Sequence, residues 1–249
     1  MQQYVYEPNA DELNYFNFHT AKRNCVNAHF HRSTEILFVR EGEIRVVING
    51  VDRLLRAGDI SVANSYDVHY YQSAGNSSVY ILLFGDNYFE RSLSGKRFEN
   101  FLPASEKHEP IFRILQFFHE NVKEPNALLR QGIVSSVLGM IVECDGLSER
   151  KRNESNTFTE VLSYLDAHYM EDLKLDDLSS YFGYTKNYFS MLFNRLTGKH
   201  FREYLNELRV EKMNKLMTEN KNMTVTYAAL SSGFGSLNTY YRAIGKKKS

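Results

Sequence analysis

One pattern occurs twice in the C-terminal part of this 249-residue chain, and it restricts the fold more than any other feature. The first copy runs Leu175-Asp-Asp-Leu-Ser-Ser-Tyr-Phe-Gly183-Tyr-Thr185 and then Lys186-Asn-Tyr-Phe-Ser-Met-Leu-Phe193-Asn-Arg-Leu-Thr-Gly198. The second runs Val225-Thr-Tyr-Ala-Ala-Leu-Ser-Ser-Gly233-Phe-Gly-Ser236 and then Leu237-Asn-Thr-Tyr-Tyr-Arg242-Ala-Ile244. Each has a short apolar helix, a glycine where the chain must turn sharply, and a hydroxyl residue suited to cap the next helix. Between them Phe201, Tyr204, Leu205, Leu208, Met213, Leu216 and Met217 mark an amphipathic helix. It is about 17 residues and roughly 25 Å long, comparable with the ~34 Å between successive major grooves on one face of a duplex. A major groove admits one helix, so two such units joined this way imply two adjacent groove contacts on double-stranded DNA.

Composition excludes more than it identifies. Apolar residues make up 43% of the chain, with abundant Tyr and Phe and no Trp, as in a globular protein. No uninterrupted run approaches the roughly 20 apolar residues of a membrane span, and the N-terminus lacks the basic and apolar regions of a secretory signal. Cys25 and Cys144 make neither a disulfide framework nor a zinc-ligand cluster. A cytoplasmic protein without a membrane partner is expected. The net charge is zero, but residues 155–249 carry 13 Lys and Arg against 10 Asp and Glu, and the remainder 17 against 20. The C-terminal part is therefore the phosphate-facing one.

Residues 34–84 read as short strands. Glu35-Ile-Leu-Phe-Val-Arg-Glu and Glu43-Ile-Arg-Val-Val-Ile mix β-branched and aromatic residues, and Asn49-Gly50 is a type I′ hairpin signal. Further strands are expected near 60–63, 68–73 and 79–84, which points to a closed or double-sheet barrel. A short helix is expected around 88–93. Ile111, Ile114, Leu115 and Phe118 then mark one helix face. A second helix over 126–144 is apolar over a wide arc, and Leu129, Ile133, Val134, Val137, Leu138 and Ile141 are candidates for a homodimer interface. The polar run Gly146–Asn156 reads as a linker, and Thr157 with Glu160 forms a capping box that opens the next domain. The expected domains are 1–147, a linker at 148–156, and 157–249.

Together these features resemble the AraC/XylS family of bacterial transcription regulators. The residues that carry the resemblance are Gly183-Tyr-Thr185, Phe189, Phe193, Gly198, Phe201, Tyr204 and Arg209-Val210 in the first unit. In the second they are Val225, Ala228-Ala229 and Gly233-Phe234. The match runs without a gap over 158–244. The resemblance implies an N-terminal cupin-like β-barrel with two helices and a C-terminal all-α double helix-turn-helix domain. It implies a sequence-specific regulator responsive to a small-molecule effector, with double-stranded DNA, a second copy and RNA polymerase as partners. Ser179 stands where the family usually has Ala. The family usually continues past Gly245-Lys-Lys-Lys-Ser249 into a covering helix, so the second unit is expected to be the less stable.

Helical spacing turns Tyr188, Phe189, Leu192 and Phe193 inward and leaves Lys186, Asn187, Ser190, Met191, Asn194 and Arg195 outward. The resemblance places base contacts at Asn187, Ser190 and Met191, and in the second unit the DNA-facing set is Ser236, Leu237, Asn238, Tyr241 and Arg242. Asn pairs bidentately with adenine, Met touches a thymine methyl, and Arg reads guanine. Lys186, Asn194 and Arg195 read more simply as a solvated face or phosphate contacts.

His29-Phe-His31-Arg-Ser-Thr-Glu35, followed by Gly42 and later by Gly58 and His69, has the spacing of both cupin motifs. Three imidazoles and a carboxylate suit Zn²⁺, Mn²⁺ or Fe²⁺. The second motif departs from the cupin pattern, with Asn64-Ser-Tyr66 at the usual Pro-x-Gly, so a metal-free effector pocket is preferred to a metal cofactor. A non-enzymatic regulator is the leading expectation, and a metal-dependent cupin enzyme fused to a DNA-binding domain is the alternative.

Overall fold

The computed structural model describes residues 5–7, 10, 14–73, 75–88, 96–149 and 157–245. The chain divides into two compact units, Met1–Asn156 and Thr157–Ser249. Of the linker expected at 148–156, Ser148 and Glu149 instead form a short strand; residues 150–156, the side chains of the Thr157 end of the capping box and most of the helix expected at 88–93 lie outside the described residues, and Asp86–Tyr88 forms a 3-10 turn.

The first unit is built on two five-stranded sheets. One contains β1 (Val5–Tyr6), β3 (Cys25–Phe30), β8 (His69–Ser73), β5 (Glu43–Ile48) and β6 (Val51–Arg56), in that order. The other contains β11 (Phe101–Leu102), β7 (Ile60–Ala63), β4 (Thr34–Glu41), β9 (Ser78–Phe84) and β2 (Phe16–Lys22). A short pair, β10 (Lys96–Arg97) with β12 (Ser148–Glu149), stands apart from both. The β5–β6 hairpin turns at Asn49 and Gly50, both with positive φ, as a type I′ turn requires.

Side chains alternate along a strand, and this sorts β4 and β9 into two cores. Leu37, Val39, Val79, Ile81 and Leu83 face the space between the sheets, where they meet Ile44, Val46, Ile48 and Tyr71. Ile36, Phe38, Tyr80, Leu82 and Phe84 face the other way, onto α1 (Glu109–Asn121) and α2 (Ala127–Asp145). Both strands are thus apolar at every central position and show no alternation in sequence. Glu35 lies two residues before Leu37, on the face that looks into the barrel.

The packing of α2 corrects the interface expected for it. Ile133, Val134, Val137, Leu138 and Ile141 are all buried within the single chain, against the sheet and α1. They cannot also meet a second copy. Of the six candidates only Leu129 is exposed, together with Leu128 and, on α1, Phe117. By length and composition α2 is apolar enough to cross a membrane, contrary to the expectation from uninterrupted runs, but its buried stripe is committed to the domain core.

The second unit is entirely helical among its described residues: α3 (Thr157–His168), α4 (Leu175–Tyr181), α5 (Lys186–Thr197), α6 (Phe201–Glu219), α7 (Val225–Ser231) and α8 (Leu237–Ala243). The hydroxyls expected to cap do so: Thr185 accepts from the Tyr188 amide and Ser236 from that of Thr239, and Thr224 adds a cap to α7 by accepting from the Tyr227 amide. Phe189, Phe193, Phe201 and Tyr204 form the centre of the first helix-turn-helix, with Phe193 edge-on to both Phe201 and Tyr204. Met213, Ala228, Ala229 and Phe234 form the centre of the second. Val225 matches the family pattern but is exposed, and Ala228 occupies the core instead.

Candidate functional site

Two sets of residues carry chemistry, one in each unit. In the first unit His29, His31, Glu35 and His69 are all buried, and one ligating atom from each lies within 4.8 Å of the others. His29 on β3 and His69 on β8 are cross-strand partners, with ring centroids 4.2 Å apart. The β3–β8 register shifts between Val26 and His29, and such an irregularity re-aims side chains at the end of a strand. His31 lies one residue beyond β3, and its ring centroid is 5.5 Å from that of His29. Its carbonyl accepts from the Tyr66 amide at 2.8 Å, so the turn at 64–67 holds it in place.

The hydrogen bonds fix the tautomer of every ring. Nδ1 of His29 bonds the Asn27 carbonyl at 2.9 Å, Nδ1 of His31 the Ser33 carbonyl at 2.9 Å, and Nδ1 of His69 the Asp67 carbonyl at 2.8 Å. A carbonyl only accepts, so each Nδ1 carries a proton, and in the neutral ring Nε2 is left with a bare lone pair. Yet Nε2 of His31 and of His69 approach the same oxygen of Glu35, at 3.2 and 3.4 Å. Lone pair facing carboxylate is repulsive. The arrangement requires a positive charge between them, as an extra proton on an imidazole or as a cation.

The electrostatics agree. Burial would raise the Glu35 carboxyl, but hydrogen bonds and charge from His31 and His69 outweigh it and hold the group well below its usual range. Burial would lower His69, but the hydrogen bond and charge of Glu35 hold it above its ordinary value. His29 is pushed down to about 4, by burial first and then by His69, so at neutral pH it presents an uncharged donor. Tyr71 lies two residues after His69 on β8, and burial followed by the Glu35 charge drives its hydroxyl well above 10. Sequence reasoning passed over Tyr71, although the same alternation that finds Glu35 finds it.

In the second unit Asn187, Met191, Asn194 and Arg195 are exposed on α5 and Ser190 is half-buried, as expected for a groove-facing surface. Lys186 is also exposed, and its Nζ pairs with Asp176 at 2.6 Å. Tyr188 departs from expectation: it is exposed and meets the Tyr184 ring in a tilted contact, 5.5 Å between centroids, rather than entering the core. In α8, Asn238 and Arg242 are exposed and Tyr241 is half-buried. Leu237 packs against the core of the second unit, and the Ser236 hydroxyl is occupied as a cap. These two are therefore positioning residues, and the outward face of α8 is narrower than that of α5.

The molecule thus carries an exposed helix face in a helix-turn-helix unit and a buried cluster of three histidines and a carboxylate in the barrel. Residues 178–248 match a family model described as a helix-turn-helix domain, and residues 21–85 one described as a cupin domain. The Msm operon regulatory protein of Streptococcus mutans serotype c is 24% identical over 218 residues, which are 84% of this chain and 78% of that protein. An HTH-type transcriptional regulator of Staphylococcus aureus (strain MSSA476) is 35% identical over 83 residues, 33% of this chain but only 11% of that much longer protein. The crystal structure of the AraC-like transcriptional activator CuxR superposes with a TM-score of 0.51 at 14% identity, covering 81% of this chain and 72% of that one, which establishes a shared fold. The chain thus joins a cupin domain to a helix-turn-helix domain, in the order that the AraC/XylS resemblance implies, and is a DNA-binding transcription regulator.

The base contact that the resemblance places at Asn187 has a testable consequence. Asn187→Ala should cost about 1–3 kcal/mol on the preferred duplex and relax the preference at one position. Equal weakening on all sequences, measured by selection from random DNA, would make Asn187 a phosphate contact instead.

Proposed function

We propose that this regulator senses through a divalent transition metal held by His29, His31, Glu35 and His69, with the metal or an effector completing its shell as the signal. The observation that carries this reading is the tautomer pattern: three Nδ1–H groups are committed to carbonyls, which leaves three Nε2 lone pairs free in a cluster whose fourth member is a carboxylate. Backbone carbonyls that orient ligating imidazoles in this way are the usual supporting shell of a metal site. Three neutral imidazoles and one carboxylate fit Zn²⁺, Fe²⁺ or Mn²⁺, and the ion supplies the positive charge that the facing lone pairs and carboxylate need. A metal-free effector pocket, bordered by the apolar residues Leu37, Ile44, Val46 and Ile81 between the sheets, is the second reading.

The site is sensory rather than catalytic in this reading. The Streptococcus mutans relative, matched over most of the chain, is a regulator. Tyr71, held far from ionisation, is a poor base. A homodimer, in the same reading, forms through the exposed Phe117, Leu128 and Leu129 rather than through the buried stripe of α2. The full chain purified without added metal should carry about one equivalent of a divalent transition metal, and Glu35→Gln or His69→Ala should lose it and the melting-temperature increment that ligand binding confers. Metal-free protein that gains no thermal stability from Zn²⁺, Mn²⁺ or Fe²⁺ would contradict the reading.

A further inference from the structure

The turn that departs from the cupin pattern is bonded on both sides, and its partners lead away from the cluster. Tyr66 within it has φ +64, a left-handed conformation that a bulky residue adopts only where its surroundings enforce it. Three kinds of bond enforce it. The Tyr66 amide donates to the His31 carbonyl, the Asp67 amide donates to the Asn64 carbonyl, and the Asp67 carbonyl accepts from His69 Nδ1. The turn thus grips two of the four ligating residues through their main chain or the far side of the ring.

The Asp67 carboxylate faces the other way and is nearly enclosed. One oxygen accepts from Asn49 Nδ2 at 2.7 Å; the other accepts from the Asn64 amide at 3.0 Å, Asn100 Nδ2 at 2.8 Å and Arg97 Nη2 at 2.7 Å. A buried carboxylate with this many donors cannot move without moving them, since leaving any of these groups unpaired is costly in low dielectric. Arg97 belongs to β10, whose partner is β12: Arg97 is in register with Ser148 and Lys96 with Glu149, and the Ser148 hydroxyl donates to the Arg97 carbonyl. β12 is the last described element of the first unit, directly before the segment that leads to the DNA-binding unit.

We propose that Asp67 and Arg97 are the residues through which occupancy of the His29–His31–Glu35–His69 cluster reaches the interdomain segment. Drawing His69 Nε2 onto an ion displaces its Nδ1–H, the Asp67 carbonyl follows, and the clamped carboxylate passes the displacement to Arg97 and the β10–β12 pair. None of these steps uses α1 or α2. The inference rests on the metal reading above, and it concerns transmission rather than binding.

A path drawn through bonded groups needs measured coupling. The test uses the full chain, Zn²⁺ alone as ligand, and a duplex selected from random-sequence DNA by the wild-type chain. Zinc affinity is measured by calorimetry, and duplex affinity by anisotropy with zinc-loaded and chelator-treated protein. Wild type should show a change of about tenfold in duplex affinity, while Arg97→Gln should keep zinc affinity within about threefold and reduce the change below about twofold. Ser148→Pro, which disfavours β12 without touching Asp67, should do the same. Either variant binding zinc normally and still switching about tenfold would overturn the proposal, as would loss of zinc binding in Arg97→Gln, which would make Arg97 a support for His69 only. Wild type that binds zinc with no change in duplex affinity would overturn transmission and leave the metal site standing. Wild type that binds no zinc, Mn²⁺ or Fe²⁺ would overturn the metal reading itself.

Discussion

Val134→Glu should leave the N-terminal unit unfolded rather than yield a folded monomer. Val134 is fully buried in the apolar cluster that α1 and α2 form with the β4–β9 sheet. Burying an unpaired charge costs several kcal/mol, against a total folding free energy of about 5–15 kcal/mol for a domain. Loss of the cooperative melting transition of this unit, with near-UV circular dichroism collapsed, is the expected result. Leu128→Glu is the control. Leu128 is 84% exposed within the single chain, so the substitution should leave the protomer folded and change its intrinsic stability by no more than about 0.5 kcal/mol, whatever it does to association. A folded Val134→Glu monomer by analytical ultracentrifugation would restore the buried stripe of α2 as an interface and contradict this packing.

The second large effect separates two glycines that look alike in sequence. Gly183 and Gly233 each end the first helix of a helix-turn-helix, and both have positive φ, +75° and +87°. A Cβ on Gly183 would meet nothing within 4 Å, so Gly183→Ala should cost only the left-handed conformation, about 1–2 kcal/mol. A Cβ on Gly233 would lie 2.6 Å from the Tyr169 carbonyl oxygen and 2.7 Å from the Met170 Cα. That backbone cannot yield easily, because Arg209 Nε donates to the same Tyr169 carbonyl and Arg209 Nη2 to the Glu171 carbonyl, both at 2.7 Å. Gly233→Ala should therefore cost about 3 kcal/mol or more and disorder α7 and α8, while α5 still forms. Equal midpoint shifts for the two variants in denaturant would show that the backbone at 169–170 moves freely.

Arg209 also illustrates what the sequence could and could not reveal. The family pattern marks it, but as part of the connecting helix; that it joins the α3–α4 connection to the turn of the second unit follows only from the fold. The helices themselves were legible because each presents one apolar stripe, as Ile111, Leu115 and Phe118 do on α1. α2 was legible as a helix but not in its orientation, since an apolar arc this wide does not say which side is covered. β2 is hidden in the sequence because polar residues such as Asn17 and His19 interrupt it, and β3 is legible only at its His29 end, since Asn27 breaks the apolar pattern before it.

The candidate site was legible in its ligands and hidden in its supports. His29, His31, Glu35 and His69 stand out by spacing, and the fold brings all four together. The three carbonyls that set the tautomers belong to Asn27, Ser33 and Asp67, and a carbonyl leaves no trace in the residue type. Arg97 lies 30 residues from Asp67 in sequence, in a stretch without periodicity. On α5, spacing assigned Tyr188 inward, but Tyr184 offers it a ring to meet at the surface. Local pairing won over helical phase there.

Whether the buried cluster holds an ion through its three imidazoles and its carboxylate decides the account, and X-ray absorption at the metal edge of the loaded full chain measures it. For zinc the account predicts a first shell of nitrogen and oxygen at about 2.0–2.2 Å, with outer-shell scattering from three imidazole rings and no sulfur. A sulfur scatterer near 2.3 Å would place the ion at Cys25 or Cys144, and a shell without imidazole scattering would place it on surface carboxylates; either would contradict the assignment of the barrel cluster as the sensing site.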